Sequence, residues 1–429
     1  MKTRTIEVQQ LARVEGESSL RVIIEQGSVQ AVQLAIFEPP RYFEALLQGR
    51  SFREAPDITA RICGICPVAY QMSACHAMEQ AAGVQLPAPL RALRRLLYCG
   101  EWIESHALHV HMLHAPDFFS HDDAIQLAQA APAEVKRGLA LKKTGNAIVS
   151  LLGGREIHPI NVKVGGFYRL PERQALGELL PQLHAGREAA AEAVRWVAGL
   201  DFPEYQTDAV LVALQHADEY PMNEGRIASS SGLDIEMGAF DAHFTEQQVP
   251  YSNALQACLT SGERYLTGPL ARFALNYARL TPLCRELAEQ ADIGGGTRNP
   301  YQSIIVRSLE VLYAFEEAIR IVEEVDIGGA ASVEVELSDA RAVWATEAPR
   351  GLLVHQYEID AAGNIARACI VPPTSQNQAV IERDLYNVVE RHLQQDDARL
   401  ARHCEDAVRN HDPCISCATH FLKVDIERR

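Results

Sequence analysis

The sequence lacks the features that mark membrane-spanning, secreted and disulfide-stabilised proteins. Its 429 residues contain no uninterrupted apolar stretch of about 18 residues, so no membrane-spanning helix is predicted. The first residues carry charges but no apolar signal-peptide core, and we therefore expect a soluble, cytoplasmic protein. The chain has ten cysteines, far fewer than a small disulfide-stabilised scaffold would need.

Positive charge is also scarce. The chain has 40 Lys and Arg against 56 Asp and Glu, and its formal net charge is −16 at pH 7. This balance argues against a basic surface for nucleic acids or anionic membranes, so neither is an expected partner. The chain also lacks a G-x-G-x-x-G fingerprint with a flanking strand, which predicts that any nicotinamide dinucleotide binds elsewhere.

The residues that are present predict one large body of the α+β class, mainly α with small peripheral antiparallel β-sheets. Hydrophobic residues make up 47% of the chain, enough for a large core. No repeat, low-complexity tract or linker divides it, so we predict a single interlocked domain over 1–429. Its predicted segments are a β-rich N-terminus (1–60), a helical core (67–200), loops and helices (201–330), a β-hairpin segment (331–375), and a C-terminal helix with a metal-binding motif (376–429).

Local patterns predict individual elements within these segments. Leu20, Val22 and Ile24 alternate as in a strand and are followed by a turn over 26–28. Further predictions are an extended stretch over 206–214, helices near 268–291, 302–325 and 378–395, and a hairpin of strands over 351–359 and 365–373.

Four of the ten cysteines form two Cys-x-x-Cys pairs, Cys63 with Cys66 and Cys414 with Cys417. Cysteines three residues apart can point both sulfurs at one ion, and two pairs make a four-thiolate site. Nearly the whole chain separates the pairs, so the ion would lie at the centre of a large fold. A redox dithiol, a disulfide and coincidence remain alternatives, and soft thiolates alone do not choose among zinc, iron and nickel.

The proline after the first pair predicts a helix start. Pro67 suits the first helical position, which places Cys66 at a helix N-terminus. There the helix dipole is expected to lower the pKa of the Cys66 thiol and favour the thiolate that metals bind. The other six cysteines are scattered, and we interpret them as buried small hydrophobic residues: Cys75, Cys99, Cys258, Cys284, Cys369 and Cys404.

The two motifs also carry a family resemblance. Arg61-Ile62-Cys63-Gly64-Ile65-Cys66, followed by Asp412-Pro413-Cys414-Ile415-Ser416-Cys417-Ala418-Thr419-His420, closely resembles the nickel–iron hydrogenase large subunit. Further matching motifs, in chain order, are Arg13-Val14-Glu15-Gly16, Phe43-Glu44-Ala45-Leu46-Leu47-Gln48-Gly49-Arg50, Ser105-His106-Ala107-Leu108-His109, Pro116-Asp117-Phe118, Gly153-Gly154-Arg155, Glu347-Ala348-Pro349-Arg350-Gly351 and Pro373-Thr374 with Asn377. The resemblance runs from end to end of the chain and implies the large-subunit fold.

The resemblance implies a catalytic subunit that cleaves and forms H2 heterolytically. All four cysteines would bind nickel, and Cys66 and Cys417 would bridge to an iron that carries carbon monoxide and cyanide. The residues around the two cysteine pairs are most similar to those of the cytoplasmic NADP-linked hydrogenases and sulfhydrogenases. Expected partners are a small subunit with iron–sulfur clusters, flavin-containing NAD(P)H diaphorase subunits, a maturation protease and nickel-insertion proteins. The clusters and the flavin would lie only on partner subunits.

The resemblance also implies roles for individual polar residues around the metals. Glu15 would be the first proton-relay carboxylate, beside the terminal Cys414. Arg350 would face the metals, with Asp117 and Asp412 holding it in place. Thr374, with Pro349 and Arg350, would surround the diatomic ligands of the iron.

A magnesium site is implied nearby, with Glu44, the backbone carbonyl of Ile370 and His420 as ligands. Without the resemblance, Glu15 and Glu44 would be interpreted as surface carboxylates. Residues 421–429 extend beyond His420, after which family members are trimmed.

Three residues depart from the family pattern, and two other interpretations remain open. Tyr70 and Glu17 stand where histidines are usual, and Gln376 where tryptophan is common, which affects hydrogen bonding to the bridging sulfur. A non-catalytic scaffold subunit like those of respiratory complex I is one alternative, and a structural zinc protein is another. The histidines 106, 109, 111 and 114 do not share one face of an α-helix, so we interpret them as structural.

Overall fold

The computed structural model describes residues 3–36 and 42–418, and helices dominate them. The helices are α1 (Phe43–Leu47), α2 (Ala55–Thr59), α3 (Pro67–Ala81), α4 (Ala88–Leu108), α5 (Ala115–Phe118), α6 (Ala124–Ala130), α7 (Pro132–Gly153), α8 (Arg173–Gly177), α9 (Leu180–Ala198), α10 (Phe240–His243), α11 (Pro269–Asn276), α12 (Pro282–Gln290), α13 (Ser303–Glu324), α14 (Pro373–His392), α15 (Asp397–Asn410) and α16 (Ile415–Ala418). A π-helical turn, His109–His114, continues α4. None of these helices is long and apolar enough to span a bilayer.

The strands form small sheets around the helices. They are β1 (Thr3–Val8), β2 (Ser18–Glu25), β3 (Ser28–Ile36), β4 (Val162–Lys163), β5 (Gly166–Phe167), β6 (Val210–Gln215), β7 (Arg226–Ser229), β8 (Asp234–Ile235), β9 (Phe244–Gln248), β10 (Leu255–Leu259), β11 (Tyr265–Leu266), β12 (Ala340–Ala348), β13 (Gly351–Ile359) and β14 (Ile365–Val371). Their pairing is antiparallel apart from the short parallel pair of β11 with β6. The predicted class, mainly helical with small antiparallel sheets, is confirmed.

The core consists of long helices that approach one another closely. α4 packs against α7 and α13, and its residues from Leu93 to Ala107 are buried. Gly145 on α7 permits this approach, because a Cβ there would lie 2.7 Å from both the Gly100 carbonyl oxygen and the Glu104 nitrogen. A side chain at Gly145 would therefore push α7 away from α4.

The N-terminal sheet has the alternation that the sequence predicts. β1, β2 and β3 form an antiparallel meander, and the buried Leu20, Val22 and Ile24 belong to one cluster with residues of α14 and α15. The predicted turn is present, with Gln26 and Gly27 at φ 54° and 80°. The sheet thus packs on α14 and α15 rather than on the helical core.

A second sheet carries the hairpin expected from the sequence and one strand that was missed. β13 pairs with β14 through the turn over 360–364, as predicted, and β12 pairs with the other edge of β13. Pro349 and Arg350 form the connection from β12 to β13. Gly351 follows them at φ 139°, and a Cβ there would lie 2.7 Å from Thr267 Cγ2, so only glycine fits this turn.

Several predicted boundaries were wrong for local reasons. The helix expected over 268–291 is two helices, because Pro282 starts α12 and Thr281 caps it by accepting the Cys284 N–H at 3.3 Å. The segment over 201–330, expected as loops and helices with one extended stretch, also contains β7, β8 and β9. The last predicted helix starts at Pro373, and α15 follows it, capped by Asp396.

Candidate metal centre

The fold brings the four predicted cysteines into one buried cluster. All four sulfurs lie within 4.8 Å of one another. Cys63 lies 3.6 Å from Cys414, Cys66 lies 3.6 Å from Cys417, and 2.9 Å separates Cys414 from Cys417. Metal–thiolate bonds of about 2.3 Å place sulfurs around one ion about 3.3–3.8 Å apart. Two separations match that range, the third is shorter, and a four-thiolate set suits a soft metal.

No second cluster of this kind exists in the described parts of the chain. Within residues 3–36 and 42–418, the four cysteines are the only group of three or more metal-binding side chains close enough to share an ion. Of the other six cysteines, Cys75, Cys99, Cys284 and Cys404 are buried, as predicted, whereas Cys258 and Cys369 are partly exposed. Burial raises the pKa of the four buried thiols and of Cys369. The environments of these five cysteines favour the neutral thiol over the metal-binding thiolate.

The two cysteine pairs reach the cluster by different routes. Cys63 lies in the turn after α2, and Cys66 directly precedes α3, so the first pair belongs to the helical core. Cys414 forms a parallel β-bridge with Glu15, in which the Ile415 N–H donates to the Glu15 carbonyl at 2.9 Å. The Cys414 N–H also donates to Thr374 Oγ1 at 3.0 Å. The second pair is therefore held by the opposite end of the chain and by α14.

The sequence predicts a thiolate at Cys66, but the structure favours the thiolate at Cys63, the other cysteine of the pair. Hydrogen bonds from Cys414, Cys417 and Cys66 hold the pKa of Cys63 well below its usual value. The backbone N–H groups of Ile65 and Cys66 also donate to its sulfur, at 3.3 and 3.4 Å. For Cys66, a hydrogen bond with Cys414 lowers the pKa, but bonds with Cys417 and Cys63, together with burial, raise it well above its usual value.

The start of α3 explains this difference. The Val68 and Ala69 N–H groups, whose positive ends were expected to favour a Cys66 thiolate, donate instead to Glu101 at 2.6 and 3.0 Å. Glu101 is fully buried on α4, so it fixes the first turn of α3 to α4. Sequence reasoning missed Glu101, since a carboxylate thirty-five residues downstream of the cysteine carries no local signal of this contact.

Glu15 lies against the cluster. Its Oε2 is 3.2 Å from Cys414 Sγ, which is within hydrogen-bond reach of a thiol. Hydrogen bonds with Cys417, Cys63 and Cys66, together with burial, raise the pKa of Cys414 well above its usual value. A protonated Cys414 thiol beside a carboxylate oxygen can pass a proton to it.

Asp117 does not hold Arg350, contrary to the expectation. Both of its oxygens bind Arg409, with Oδ2 accepting from Nε at 2.8 Å and Oδ1 from Nη2 at 2.9 Å, and Oδ1 also pairs with Arg13. Arg409 reaches on to the carbonyl of Ala12 at 3.2 Å. This clamp of Arg13, Asp117 and Arg409 fixes the segment that carries Glu15, because it ties that segment to α5 and α15.

Among the residues that the structure describes, Asp412 is the hydrogen-bonding partner of the Arg350 side chain. Its Nε donates to the Asp412 carbonyl at 3.0 Å and its Nη2 to Asp412 Oδ1 at 3.2 Å. Burial opposes its charge, but Asp412 and the neighbouring sulfurs of Cys414, Cys66 and Cys63 raise the pKa of Arg350 well above its usual value. The third nitrogen, Nη1, is buried and has no hydrogen-bond partner among the described residues, so it can receive a ligand at the cluster.

The other residues expected around the diatomic ligands are also nearby. Thr374 is buried at the start of α14, and its hydroxyl oxygen accepts from Cys414, which leaves the O–H proton free to donate elsewhere. The Pro349 carbonyl accepts from Arg272 Nη2 at 2.9 Å. Thr374 is therefore bonded to a cysteine of the cluster, and Pro349 directly precedes Arg350.

The expected magnesium ligands are only partly described. Glu44 and Ile370 are adjacent, with Glu44 Oε1 accepting the Ile370 N–H at 2.7 Å. Burial raises the pKa of Glu44, although the Ile370 N–H and Arg367 lower it. His420, like the tail 421–429, lies outside the described residues.

The histidines that follow α4 lie on a π-helical turn, so the α-helical wheel does not apply to them. Pro116 lies in the first turn of the next helix, α5, and lacks the N–H that would donate to a carbonyl one α-helical turn upstream. His109 Nε2 bonds to the Arg409 carbonyl and His114 Nε2 to Asn410 Oδ1, both at 2.9 Å. His111 stacks on Trp196. These contacts tie the turn to α15 and α9, as structural residues do.

Comparison with known proteins identifies the family. Residues 41–138 and 236–420 match the nickel-dependent hydrogenase family model. The chain is 33% identical to sulfhydrogenase 2 subunit alpha of Pyrococcus furiosus, covering 98% of this chain and 100% of the relative. It is 32% identical to sulfhydrogenase 1 subunit alpha of the same organism, covering 98% of each.

A solved structure agrees in fold. The chain matches an NAD+-reducing NiFe hydrogenase in the H2-reduced state with a TM-score of 0.87 and 27% identity, covering 97% of this chain and 99% of that one. Four buried cysteines at one point of such a fold fit a nickel–iron centre. The chain therefore belongs to the nickel-dependent hydrogenase family, as a large subunit of the NiFe type.

Proposed function

We propose that Cys63, Cys66, Cys414 and Cys417 hold the nickel–iron centre at which this chain cleaves and forms H2, and that Glu15 moves the proton. The observation that carries the proposal is the contact of 3.2 Å between Glu15 and Cys414 at the edge of the four-sulfur cluster. When bound, the metal pair supplies a redox-active Lewis acid that polarises H2.

Cys414 and Glu15 perform the proton transfer in this proposal. Cys414 Sγ takes the proton released from H2, and Glu15 Oε2 accepts it across the existing contact. The clamp of Arg13, Asp117 and Arg409 keeps Glu15 in place, since a shift of about 1 Å would break that contact. The β-bridge from Glu15 to Cys414 aligns the two residues through their backbones.

Arg350 and Thr374 line the proposed ligand side of the centre. The unpaired Arg350 Nη1 is a fixed positive donor in a buried site, which favours anionic ligands such as cyanide and helps to polarise H2. Thr374 keeps its O–H proton for a second donor interaction, and Pro349 shapes the adjacent wall. Carbon monoxide and cyanide on the iron are part of this proposal, as is magnesium at Glu44, the Ile370 carbonyl and His420.

Electrons must leave the chain, because the described residues contain no second cysteine cluster that could hold iron–sulfur clusters. We propose that a small subunit with such clusters docks over Ile157, Ile160 and Tyr168, which are 57%, 52% and 60% exposed. Ile157 Cγ2 lies 4.0 Å from the position of a Cβ built on Gly64, between the first two cysteines. This apolar surface therefore lies beside the centre, so electrons would travel only a short path from the metals to a partner docked there.

The remaining partners follow from the family. Flavin-containing diaphorase subunits would pass electrons from the small subunit to NAD(P)+, in line with the name of the NAD+-reducing relative. Nickel-insertion proteins and a maturation protease would load the centre and trim the tail, all in the cytoplasm.

The docking surface has its own test. Ile157→Asp places a charge at the proposed interface, and the small subunit should then no longer co-purify with this chain. Leu139→Asp is the matched control, because Leu139 is 56% exposed on α7. Loss of the small subunit in both variants, or in neither, contradicts the proposed surface.

Infrared spectroscopy of the natively purified complex tests the proposed centre. Sharp carbon monoxide and cyanide stretches that shift under H2 are expected. Zinc without nickel or iron, together with an absence of these bands, would support the structural zinc alternative. A matured complex with no metal at the four cysteines would support the scaffold alternative.

A further inference from the structure

A second buried arginine holds the backbone that carries Arg350. Arg272 lies on α11, is fully buried, and reaches the connection from β12 to β13. Its Nη1 donates to the Ala348 carbonyl and its Nη2 to the Pro349 carbonyl, both at 2.9 Å. Two donors of one planar group on consecutive carbonyls fix the orientation of that backbone, which a single hydrogen bond would leave free to rotate.

The Arg272 guanidinium is itself held on every side. Its Nε and Nη2 donate to the two oxygens of Glu310 at 2.8 and 2.7 Å, and its Nη1 donates to Glu347 Oε2 at 3.0 Å. These bonds and the two to carbonyls use all the N–H donors of an arginine, and the group also lies 4.5 Å from the centre of the Trp102 ring. Burial raises the pKa of Glu310, but Arg272 and His106 lower it to about 2, so this ion pair keeps its charges.

The same segment also restrains the chain beyond Arg350. A Cβ at Gly268 would lie 2.6 Å from the Arg350 carbonyl oxygen, so the two backbones are in close contact. The Thr267 hydroxyl accepts the Leu352 N–H at 2.8 Å. The segment over 267–272 therefore contacts the β12–β13 connection both before and after Arg350.

We propose that Arg272 is a positioning residue for the reaction, because it sets the direction in which Arg350 presents its unpaired Nη1 to the metal centre. The proposal rests on the proposed function, which makes Arg350 a donor at the ligands of that centre. Asp412 holds the Nε and Nη2 of Arg350, whereas Arg272 holds the backbone from which the side chain starts. Both are needed to place Nη1, and a misplacement of about 1 Å can cost about 10²-fold in rate.

The test compares Arg272→Lys with Arg94→Lys. Lysine keeps the positive charge but lacks the planar fork that binds several acceptors at once. Arg94 is the matched control, because it is also fully buried and joins a carboxylate, Glu79, to a carbonyl, that of Lys163. Glu79 lies on the last turn of α3, whereas Cys66 directly precedes the first, so about 20 Å of helix separates the control from the centre.

Hydrogen exchange of the metal-free chain is the first readout. In Arg272→Lys the peptide over 346–354 should exchange about tenfold faster than in wild type, because lost hydrogen bonds make local opening easier. Arg94→Lys should leave this peptide at the wild-type rate. Wild-type exchange over 346–354 in Arg272→Lys overturns the proposal, and it does so whether or not the proposed function holds.

Turnover of the matured complex is the second readout. Arg272→Lys should lower turnover by about 10²-fold with the metals and infrared bands retained, and Arg94→Lys should leave it unchanged. Adding Arg272→Lys to Arg350→Met should cause no further loss, since the positioned side chain is already gone, whereas adding it to Glu15→Gln should multiply the two losses. Multiplied losses with Arg350→Met overturn the proposal and leave the proposed function intact. Wild-type complex without carbon monoxide and cyanide bands overturns the proposed function itself.

A milder variant covers the case in which Arg272→Lys fails to fold. Glu347→Gln gives Arg272 Nη1 a neutral partner in place of a carboxylate, so the hold on the two carbonyls is weakened rather than removed. Exchange over 346–354 should rise and turnover should fall, each by less than in Arg272→Lys. Glu79→Gln is the matching change at Arg94 and should alter neither quantity. Wild-type exchange or wild-type turnover in Glu347→Gln overturns the proposal.

Discussion

The two cysteine pairs contribute equal numbers of sulfurs but are supported in opposite ways. Cys63 and Cys66 both precede α3, whose first turn Glu101 ties to α4 inside the helical core. Cys414 lies between α15 and the short α16, and Cys417 lies within α16. Cys414 depends on contacts with Glu15 and Thr374. The first half of the site is thus part of the core, whereas the second half is assembled from both ends of the chain.

This difference separates structural support from chemistry. The core side of the site, which holds Cys63 and Cys66, offers backbone N–H donors that favour a thiolate at Cys63. The assembled side brings the groups that can act on a substrate, namely Glu15 on Cys414 and Arg350 held by Asp412. We therefore expect substitutions of supporting residues on the core side to affect stability, and those on the assembled side to affect turnover as well.

The largest expected effect is common to both pairs. Cys66→Ser and Cys417→Ser should each abolish the nickel–iron centre, because a hard hydroxyl replaces a bridging soft thiolate. Metal analysis and infrared spectra of the matured complex should show the loss equally in the two variants. The matched control is Cys404→Ser, a buried cysteine away from the cluster. A variant of either pair that retains the full centre would contradict the four-cysteine assignment.

Glu15→Gln should show the chemical role of the assembled side. The amide cannot take a proton from Cys414, so turnover should fall by about 10²–10⁴-fold while the infrared bands and metal content remain. Glu25→Gln is the control, since Glu25 is an exposed carboxylate at the end of β2, the strand that follows the segment of Glu15. Equal turnover in Glu15→Gln and wild type would remove Glu15 from the proton path.

Stability changes should differ between the two supports. Asp117→Asn leaves Arg13 and Arg409 facing a neutral side chain and should cost about 3 kcal/mol, with Asp406 still pairing Arg409. It should also reduce turnover, because the clamp positions Glu15. Glu101→Gln leaves one α3 N–H without an acceptor and should cost about 1–3 kcal/mol. Denaturant titration with turnover measured in parallel distinguishes them, and a Glu101→Gln variant that loses turnover without losing stability would contradict the comparison.

The sequence predicted the cysteine pairs better than it predicted the contacts of the polar residues around them. The cysteine pairs and the Pro67 helix start are local patterns, and the structure places them as expected. The Asp117 contact was predicted wrongly, because a motif match does not reveal which of three nearby arginines a carboxylate meets. The roles of Glu15, Arg350 and Thr374 remain predictions with supporting geometry.

The fold shows a similar limit. The β13–β14 hairpin was predictable because its turn residues adjoin two apolar strands. α15 was missed since it is strongly polar, and its buried apolar residues are few: Leu400, Cys404, Ala407 and Val408. The π-helical turn over 109–114 could not be derived from periodicity, because its histidines bond to α15, which is about 300 residues away in the sequence.

The smallest expected effect is a pH dependence of stability that comes from a buried carboxylate on the core side, Glu104. Glu104 lies one helical turn after Glu101, and burial raises its pKa to about 7, although Lys142, bonded at 2.9 Å, and Arg350 lower it. Cys63 adds to the rise. Between the unfolded pKa of about 4.3 and the folded value of about 7, the folded chain therefore binds more protons at this group than the unfolded chain.

The contribution of Glu104 to stability is accordingly complete below the unfolded pKa and declines as the pH rises through the folded pKa. Glu104→Gln removes this titration, so the stability of wild type should fall relative to the variant between pH 5 and about 7, by at most about 1.4 kcal/mol per pH unit. Denaturant titrations of both chains at several pH values measure the difference. Parallel curves would mean that Glu104 is ionised throughout this window, and that the Lys142 contact outweighs burial on the core side.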